Sequence, residues 1–292
     1  MIGFIGLGIM GRPMCKNLLH AARAVMVYDL SAPAVAELAG CGALVGASPA
    51  DVAAQSDCII TMLPDSPEVL TCVLGKDGIL AGARAGAILI DMSSIDPQAS
   101  RDVSDQCRRQ GVAMLDAPVS GGEPKAIDGT LAIMVGGEKD IFERVKDILN
   151  VMGSSVTYCG AIGAGNTVKL ANQIIVALNI AALAEALTLA RKAGVDPAIV
   201  LEAIRGGLAG STVLNAKGPM MLQNNFQPGF KIDLHIKDLN NALSAGHRNG
   251  APLPLTAAVQ EMLQTLHADG LGQKDHSALA CFYAKLSGQT IG

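Results

Sequence analysis

Met1-Ile2-Gly3-Phe4-Ile5-Gly6-Leu7-Gly8-Ile9-Met10-Gly11 opens the chain and carries its strongest fold signal. A short apolar run, with the pattern of a buried strand, passes directly into G-x-G-x-x-G, and Gly11–Leu19 follows with helical periodicity. At such a junction the first glycine permits the tight turn, the second lets a pyrophosphate approach the backbone, and the third lets helix pack on strand. The start of the helix then offers unpaired N–H groups to the phosphates. In a chain of 292 residues with 33 glycines the pattern alone is weak. Its strand–turn–helix setting makes Gly6, Leu7, Gly8, Ile9, Met10 and Gly11 a predicted dinucleotide-binding turn.

Working outward, Asp29 closes the next candidate strand, Val25–Tyr28, eighteen residues beyond Gly11. A ribose-binding acid is expected at about 20 residues. A carboxylate there accepts from the ribose hydroxyls and repels a 2′-phosphate, and Leu30-Ser31 supplies no arginine to reverse that preference. NAD(H) is therefore expected over NADP(H). Asp29 and Ser31 also suit a helix cap, and the two roles are compatible.

Further candidate strands are Cys58–Met62, Ala87–Asp91, Val112–Asp116, Leu131–Val135 and Val156–Tyr158, with helical patterns between most of them, such as Ala32–Leu38 and Ala99–Gln110. Continuously apolar strands alternating with helices predict an α/β fold with a doubly wound, Rossmann-type parallel sheet. Ligands of such sheets sit beyond the carboxyl ends of the strands. Leu63 and Pro64 after one strand, and Ser94 after the next, are thus candidate cofactor contacts; each also reads as an ordinary turn.

Beyond about Gly160 the strand pattern fades. Asn166–Lys192 reads as one long helix, apolar round almost its whole circumference, and so expected to be buried on most sides. Helical segments follow near Pro197–Arg205, Leu234–Asn249, Thr256–Ala268 and Ser277–Leu286. The expected division is an NAD-binding domain over 1–162 and an all-helical domain for substrate and oligomerisation over 163–292. More apolar surface than one small helical domain can bury predicts a homodimer or homotetramer.

Composition narrows the function. Lys and Arg number 22 against 26 acidic residues, a net charge of −4, which excludes the basic surplus of a general nucleic-acid binder. Five Phe, three Tyr and no Trp make no base-stacking platform. Seven cysteines without C-x-x-C suggest buried thiols in a reducing compartment, with neither disulfide framework nor zinc site. No basic leader precedes Ile2, and the apolar run Ile174–Ala184 is shorter than the roughly 20 residues of a membrane span. A cytoplasmic protein is expected, with no metal, nucleic-acid or membrane partner.

Two segments carry candidate chemistry. Asp116-Ala117-Pro118-Val119-Ser120-Gly121-Gly122 ends a strand, and Ser120, Gly121 and Gly122 would cradle a carboxylate with backbone N–H groups and a hydroxyl, or form a flexible turn. Lys169 lies in Gly163-Ala164-Gly165-Asn166-Thr167-Val168-Lys169-Leu170-Ala171-Asn172-Gln173, early in the apolar helix, where a cation is costly unless paired or used. Asn172 and Gln173 share its face. Partial burial near a helix N-terminus would lower the amine's pKa toward that of a proton-transfer group, while a lysine snorkelling to solvent is the plain alternative. Lys237-Asp238 reads as well as a solvated face as it does as a ligand contact. The five histidines have no metal-ligand spacing, and His276 reads as a helix-start residue.

Together Phe4–Gly11, Asp116–Gly122 and Gly163–Gln173 resemble the β-hydroxyacid dehydrogenase family along the whole chain. That family includes 3-hydroxyisobutyrate dehydrogenases, tartronate semialdehyde reductases and, more distantly, 6-phosphogluconate dehydrogenases. The resemblance implies Lys169 as catalytic acid/base, Ser120, Gly121 and Gly122 on the substrate carboxylate, and Ser94 and Lys237 on the cofactor. Much of the family has two asparagines after the lysine, whereas this chain has Asn172-Gln173, which lengthens one amide's reach. Within the family, Gly121–Ala126, Ile204–Ser211 and Asp275–Ala280 most resemble the tartronate semialdehyde reductases. This implies NADH-dependent reduction of that aldehyde to D-glycerate, with 3-hydroxyisobutyrate or another short semialdehyde as the alternative. A sensor that binds cofactor without turnover would need neither Lys169 nor the Ser120-Gly121-Gly122 turn.

Overall fold

The structure, a computed structural model, describes residues 1–292 as two compact units, Met1–Lys169 and Leu170–Gly292. The first unit begins β1 (Ile2–Ile5), α1 (Gly11–His20), β2 (Val25–Tyr28), α2 (Ala32–Gly40), β3 (Leu44–Val45) and α3 (Pro49–Ala54). It continues with β4 (Cys58–Thr61), α4 (Ser66–Leu74), α5 (Ile79–Gly82), β5 (Ile88–Asp91), α6 (Pro97–Arg109) and β6 (Ala113–Asp116). Then come β7 (Val119–Ser120), α7 (Gly122–Ile127), β8 (Leu131–Gly137), α8 (Lys139–Met152) and β9 (Gly153–Gly160).

The strands form one sheet in the order β3-β2-β1-β4-β5-β6-β8-β7, with β9 on β8. From β3 to β6 all pairs are parallel, and the order reverses between β1 and β4, the switch point of a dinucleotide-binding sheet. Both faces are covered, which is why these strands are apolar without alternation. Phe4, Val27, Ile60, Ile90 and Leu115 pack on one side with Met14, Leu18, Phe142 and Leu149. Their neighbours Ile5, Met26, Ile59, Leu89 and Met114 pack on the other with Val52, Val69, Val73 and Val103.

The sheet departs from the all-parallel expectation at β8, which runs antiparallel to β6 and β7. Only Gly121–Thr130 separates β7 from β8. A parallel crossover needs a dozen or more residues, so this connection has to turn back. The 14-residue α8 does supply a crossover, and β9 is accordingly parallel to β8.

The second unit is helical. It contains α9 (Ala164–Lys192) from Leu170 onward, α10 (Pro197–Ile204), α11 (Thr212–Leu222), α12 (Ile232–Arg248), α13 (Pro254–Ala268), a 3-10 turn at His276–Ala278 and α14 (Leu279–Ser287). Its only β pairing is an isolated bridge between Lys231 and Asp275. The sequence pattern misses α11, because Gly218 and Pro219 lie inside it; the Ser211 hydroxyl caps its start by accepting from Leu214 N–H at 3.0 Å. Ala177, Ile180, Ala184 and Leu187 of α9 form the core with Leu201, Leu214, Leu239 and Leu263.

The long helix is less buried than its apolar circumference predicts. α9 is long and apolar enough to cross a bilayer, with a mean hydropathy of 1.8 over its most apolar 18 residues, yet only 39% of that window is buried. Val168, Ile175 and Leu189 are exposed along it. It is a core helix on one side and an uncovered apolar stripe on the other.

Candidate active site

Register places the chemistry of the first unit along one edge. Ile5 pairs with Tyr28 and Thr61, Thr61 with Asp91, and Asp91 with Asp116, so these strands end level. Gly6, Asp29, Met62, Met92 and Ala117 therefore begin the loops on a common edge.

At β1 the glycine turn has a separate reason for each glycine. Gly6 has φ +97°, and a Cβ there would run into the Met62 carbonyl oxygen. A Cβ on Gly11 would strike the Gly6 carbonyl oxygen and the Phe4 ring. Gly8 is exposed, with no protein atom within 4 Å of a Cβ position, so nothing inside the protein requires a glycine there. Without a side chain it leaves the outer face of the turn open. Asp29 turns back onto this loop: Leu7 N–H donates to its Oδ2 at 2.5 Å and Ser31 N–H to its Oδ1 at 2.7 Å. Two glycines that fix the turn, one that clears it and a carboxylate beside it fit an adenine dinucleotide with free ribose hydroxyls.

Neighbouring strand ends are tied together by Asp91, which is fully buried. Its Oδ1 accepts from Thr61 Oγ1 at 2.9 Å and from Ser93 N–H at 3.1 Å, and Ser93 Oγ accepts from Leu63 N–H at 2.9 Å. Leu63 and Ser94 are half-buried and Pro64 is exposed, each on the loop following its strand.

Asp116 does the corresponding work for α9. Its carboxylate accepts from Gly163 N–H and from Asn166 N–H, both at 2.7 Å, and so caps the start of α9. The Asn166 side chain extends the joint, with Oδ1 accepting from Ile95 N–H and Nδ2 donating to Ser100 Oγ, both at 3.1 Å. A Cβ on Gly165 would meet the Met134 and Asp116 carbonyl oxygens, and Gly163 has φ +85°, which together explain the Gly-Ala-Gly that opens the helix. Burial drives the Asp116 carboxyl up to about 7, against the two backbone donors that favour its charge; Asp91 adds to the rise. Lys169, five residues into the helix, is 6% exposed, so it does not snorkel to solvent. At the other end of the Asp116 segment, Ser120 is followed by Gly121 and Gly122 at φ +139° and +69°, a turn that both glycines are needed to make.

In the second unit Asn172 Nδ2 donates to Gln173 Oε1 at 2.8 Å, and Gln173 Nε2 donates to Asp238 Oδ2 at 2.5 Å. His235 Nε2 lies 3.2 Å from the Gln173 carbonyl oxygen. Lys237 Nζ stands 3.0 Å from Asp238 Oδ1, with Asp238 buried and Lys237 half-buried. The solvated-face reading of Lys237-Asp238 is thereby overturned. His276 is buried against His235, their Nδ1 atoms 2.9 Å apart, and the turn is capped by Asp275, whose Oδ1 accepts from Ser277 N–H at 2.9 Å. Burial would raise the Asp275 carboxyl, but His276, Lys217 and Ser277 carry it down to about 2.

Asp116 and Asn166, which fix the start of α9, and Asp238, which holds Gln173, are not singled out by the sequence pattern. A carboxylate ending a wholly apolar strand was the available signal for Asp116, since no solvent awaits it there. Nothing in the linear pattern separates Asp238 from an ordinary surface acid. The cysteines are all free, and burial pushes Cys15, Cys58, Cys72 and Cys107 up to about 12, so those thiols are unreactive.

Comparison with known proteins agrees with this architecture. The profile of the NAD binding domain of 6-phosphogluconate dehydrogenase matches residues 1–160. That described as the NAD-binding domain of NADP-dependent 3-hydroxyisobutyrate dehydrogenase matches residues 163–283. The chain is 46% identical to the 2-hydroxy-3-oxopropionate reductase of Escherichia coli K12 over 95% of both sequences. It is 37% identical to human mitochondrial 3-hydroxyisobutyrate dehydrogenase over 96% of this chain and 86% of that one. Among solved structures, a Mycobacterium tuberculosis 3-hydroxyisobutyrate dehydrogenase with L-serine superposes with a TM-score of 0.90 at 34% identity, covering 96% of this chain and 97% of that one. With a nicotinamide-dinucleotide turn at one end of its sheet and a buried lysine on its long helix, this chain belongs to the 3-hydroxyisobutyrate dehydrogenase-related β-hydroxyacid dehydrogenases, NAD(P)-dependent oxidoreductases acting on a CH–OH group.

Proposed function

We propose that the chain reduces tartronate semialdehyde (2-hydroxy-3-oxopropanoate) to D-glycerate with NADH, Lys169 serving as general acid. The observation that carries this reading is the 46% identity, end to end, with a 2-hydroxy-3-oxopropionate reductase. When bound, the reduced nicotinamide supplies a hydride to the aldehyde carbon. The glycine turn from Gly6 through Leu7, Gly8, Ile9 and Met10 to Gly11 receives the pyrophosphate, Asp29 the ribose, and Leu63, Pro64, Ser94 and Lys237 the remainder. Ser120, Gly121 and Gly122 hold the substrate carboxylate with their N–H groups and hydroxyl, and the Asn172 amide, backed by that of Gln173, also serves the substrate. Lys169 stabilises negative charge on the aldehyde oxygen and donates the proton that completes the alcohol. The capped helix start holds that amine in place, as proton transfer requires.

The 37% relative favours a second reading, oxidation of 3-hydroxyisobutyrate, which needs the same residues but takes a methyl where tartronate semialdehyde has a hydroxyl. The experiment that decides is kcat/KM for tartronate, methylmalonate and succinic semialdehydes with NADH. Tartronate semialdehyde is expected to lead by about tenfold or more, since a site built to bond a hydroxyl rejects its absence strongly. A lead for the methyl-bearing aldehyde replaces the reading with the second one. The uncovered apolar stripe of α9 supports assembly as a homodimer or homotetramer.

A further inference from the structure

We infer that Asp238 is a specificity-determining positioning residue, which acts through Gln173 to turn the Asn172 amide so that its carbonyl oxygen is offered to a substrate hydroxyl. This rests on the reading of Asn172 as a substrate contact given above.

The three groups form a polarised chain within the second unit. Asp238 is 1% exposed and its carboxylate only accepts, so Gln173 must turn its NH₂ toward Oδ2, at 2.5 Å. A planar amide then presents Oε1 on the opposite side, where Asn172 Nδ2 donates to it at 2.8 Å. Asn172 is obliged to spend its amino group on Gln173 and to face the other way with Oδ1. The alignment is held at two further points. Lys237 Nζ stands 3.0 Å from the second Asp238 oxygen, and His235 Nε2 stands 3.2 Å from the Gln173 main-chain oxygen.

The longer side chain at 173 thus has a purpose. Its extra methylene carries the amide to Asp238 and makes Gln173 a relay between the carboxylate and Asn172. Because the oxygen and nitrogen ends of a carboxamide are nearly the same size, its orientation follows from its bonding partners, and an acceptor-only carboxylate selects one of the two. Asn172 is half-buried and three positions beyond Lys169 on the same helix. With Oδ1 turned outward it matches a substrate that donates, such as the 2-hydroxyl of tartronate semialdehyde, and is left without a donor by a methyl group.

The test compares full-length wild type with three variants, reading kcat/KM for tartronate semialdehyde over that for methylmalonate semialdehyde. Asp238→Asn, which both donates and accepts, is expected to cut this ratio by about tenfold or more. Asp238→Glu keeps an acceptor-only group and should retain the ratio even if turnover falls. In the exchanged pair Gln173→Glu with Asp238→Asn, the new carboxylate accepts from both amides, so Asn172 is again turned outward and the ratio should recover to within about threefold of wild type. Equal losses on both substrates in Asp238→Asn, or a folded exchanged pair that fails to recover the ratio, would overturn the inference. If Asp238→Asn does not fold, a collapsed ratio in Asp238→Glu does the same. The wild-type preference alone decides the reading of substrate, and the movement of the ratio between variants decides the role of Asp238.

Discussion

Asp29 engages both oxygens within the protein, one on the Leu7 N–H of the glycine turn and one on Ser31 N–H. The same carboxylate that shapes the turn sets the charge that a 2′-phosphate would meet. Juxtaposed like charges cost several kcal/mol, so Asp29→Ser, which keeps a short acceptor without the charge, should raise the NADPH-to-NADH ratio of kcat/KM by at least about tenfold. An unchanged ratio would mean that cofactor preference is set elsewhere. Residues of this kind were legible in the sequence because each obeys a local rule: a glycine where the backbone turns, an acid at a strand end. Asp238 obeys no local rule. Its role comes from Gln173, 65 positions earlier, and only the packing of α12 against α9 brings the two together.

Among the elements, α9 depends most on its first turn. Asp116 supplies two of the acceptors that the helix start needs, and replacing the carboxylate by Asp116→Asn sets an amide N–H against a backbone N–H. A cost of about 1–3 kcal/mol is expected. That cost should depend on pH. Burial lifts the folded Asp116 carboxyl from 3.8 to about 7, above its unfolded value. The stability this lends is complete below about pH 4 and is lost as the pH rises through about 7. Thermal melts should therefore show the gap between wild type and Asp116→Asn narrowing from pH 5 to pH 8. A gap that widens would show that the backbone donors outweigh burial. The strand-and-helix alternation of this unit could be read from residue pattern alone, because parallel strands buried on both faces are continuously apolar. Two-residue β3 and β7 could not, being too short to carry a pattern. The turn at β8 was hidden for another reason: strand direction follows from the length of the connection, and α7 has no strong helical signal.

Across the whole molecule, the first unit presents the machinery for a nicotinamide dinucleotide at the strand ends. The second presents two amides on its core helix α9, bonded in series to a carboxylate on α12. α9 runs through both, with the chain dividing between Lys169 and Leu170. Its circumference misled the sequence reading because an apolar surface looks the same whether covered by this chain's own helices or left uncovered, as at Ile175 and Leu189. In the proposed reaction the buried amine of Lys169 delivers the proton. The most direct test of that role is kcat for semialdehyde reduction by Lys169→Ala, measured alongside the Kd for NADH. A fall in kcat of about 10²- to 10⁴-fold is expected, the usual worth of a positioned acid, with NADH affinity within about twofold of wild type. Turnover near the wild-type rate would contradict it.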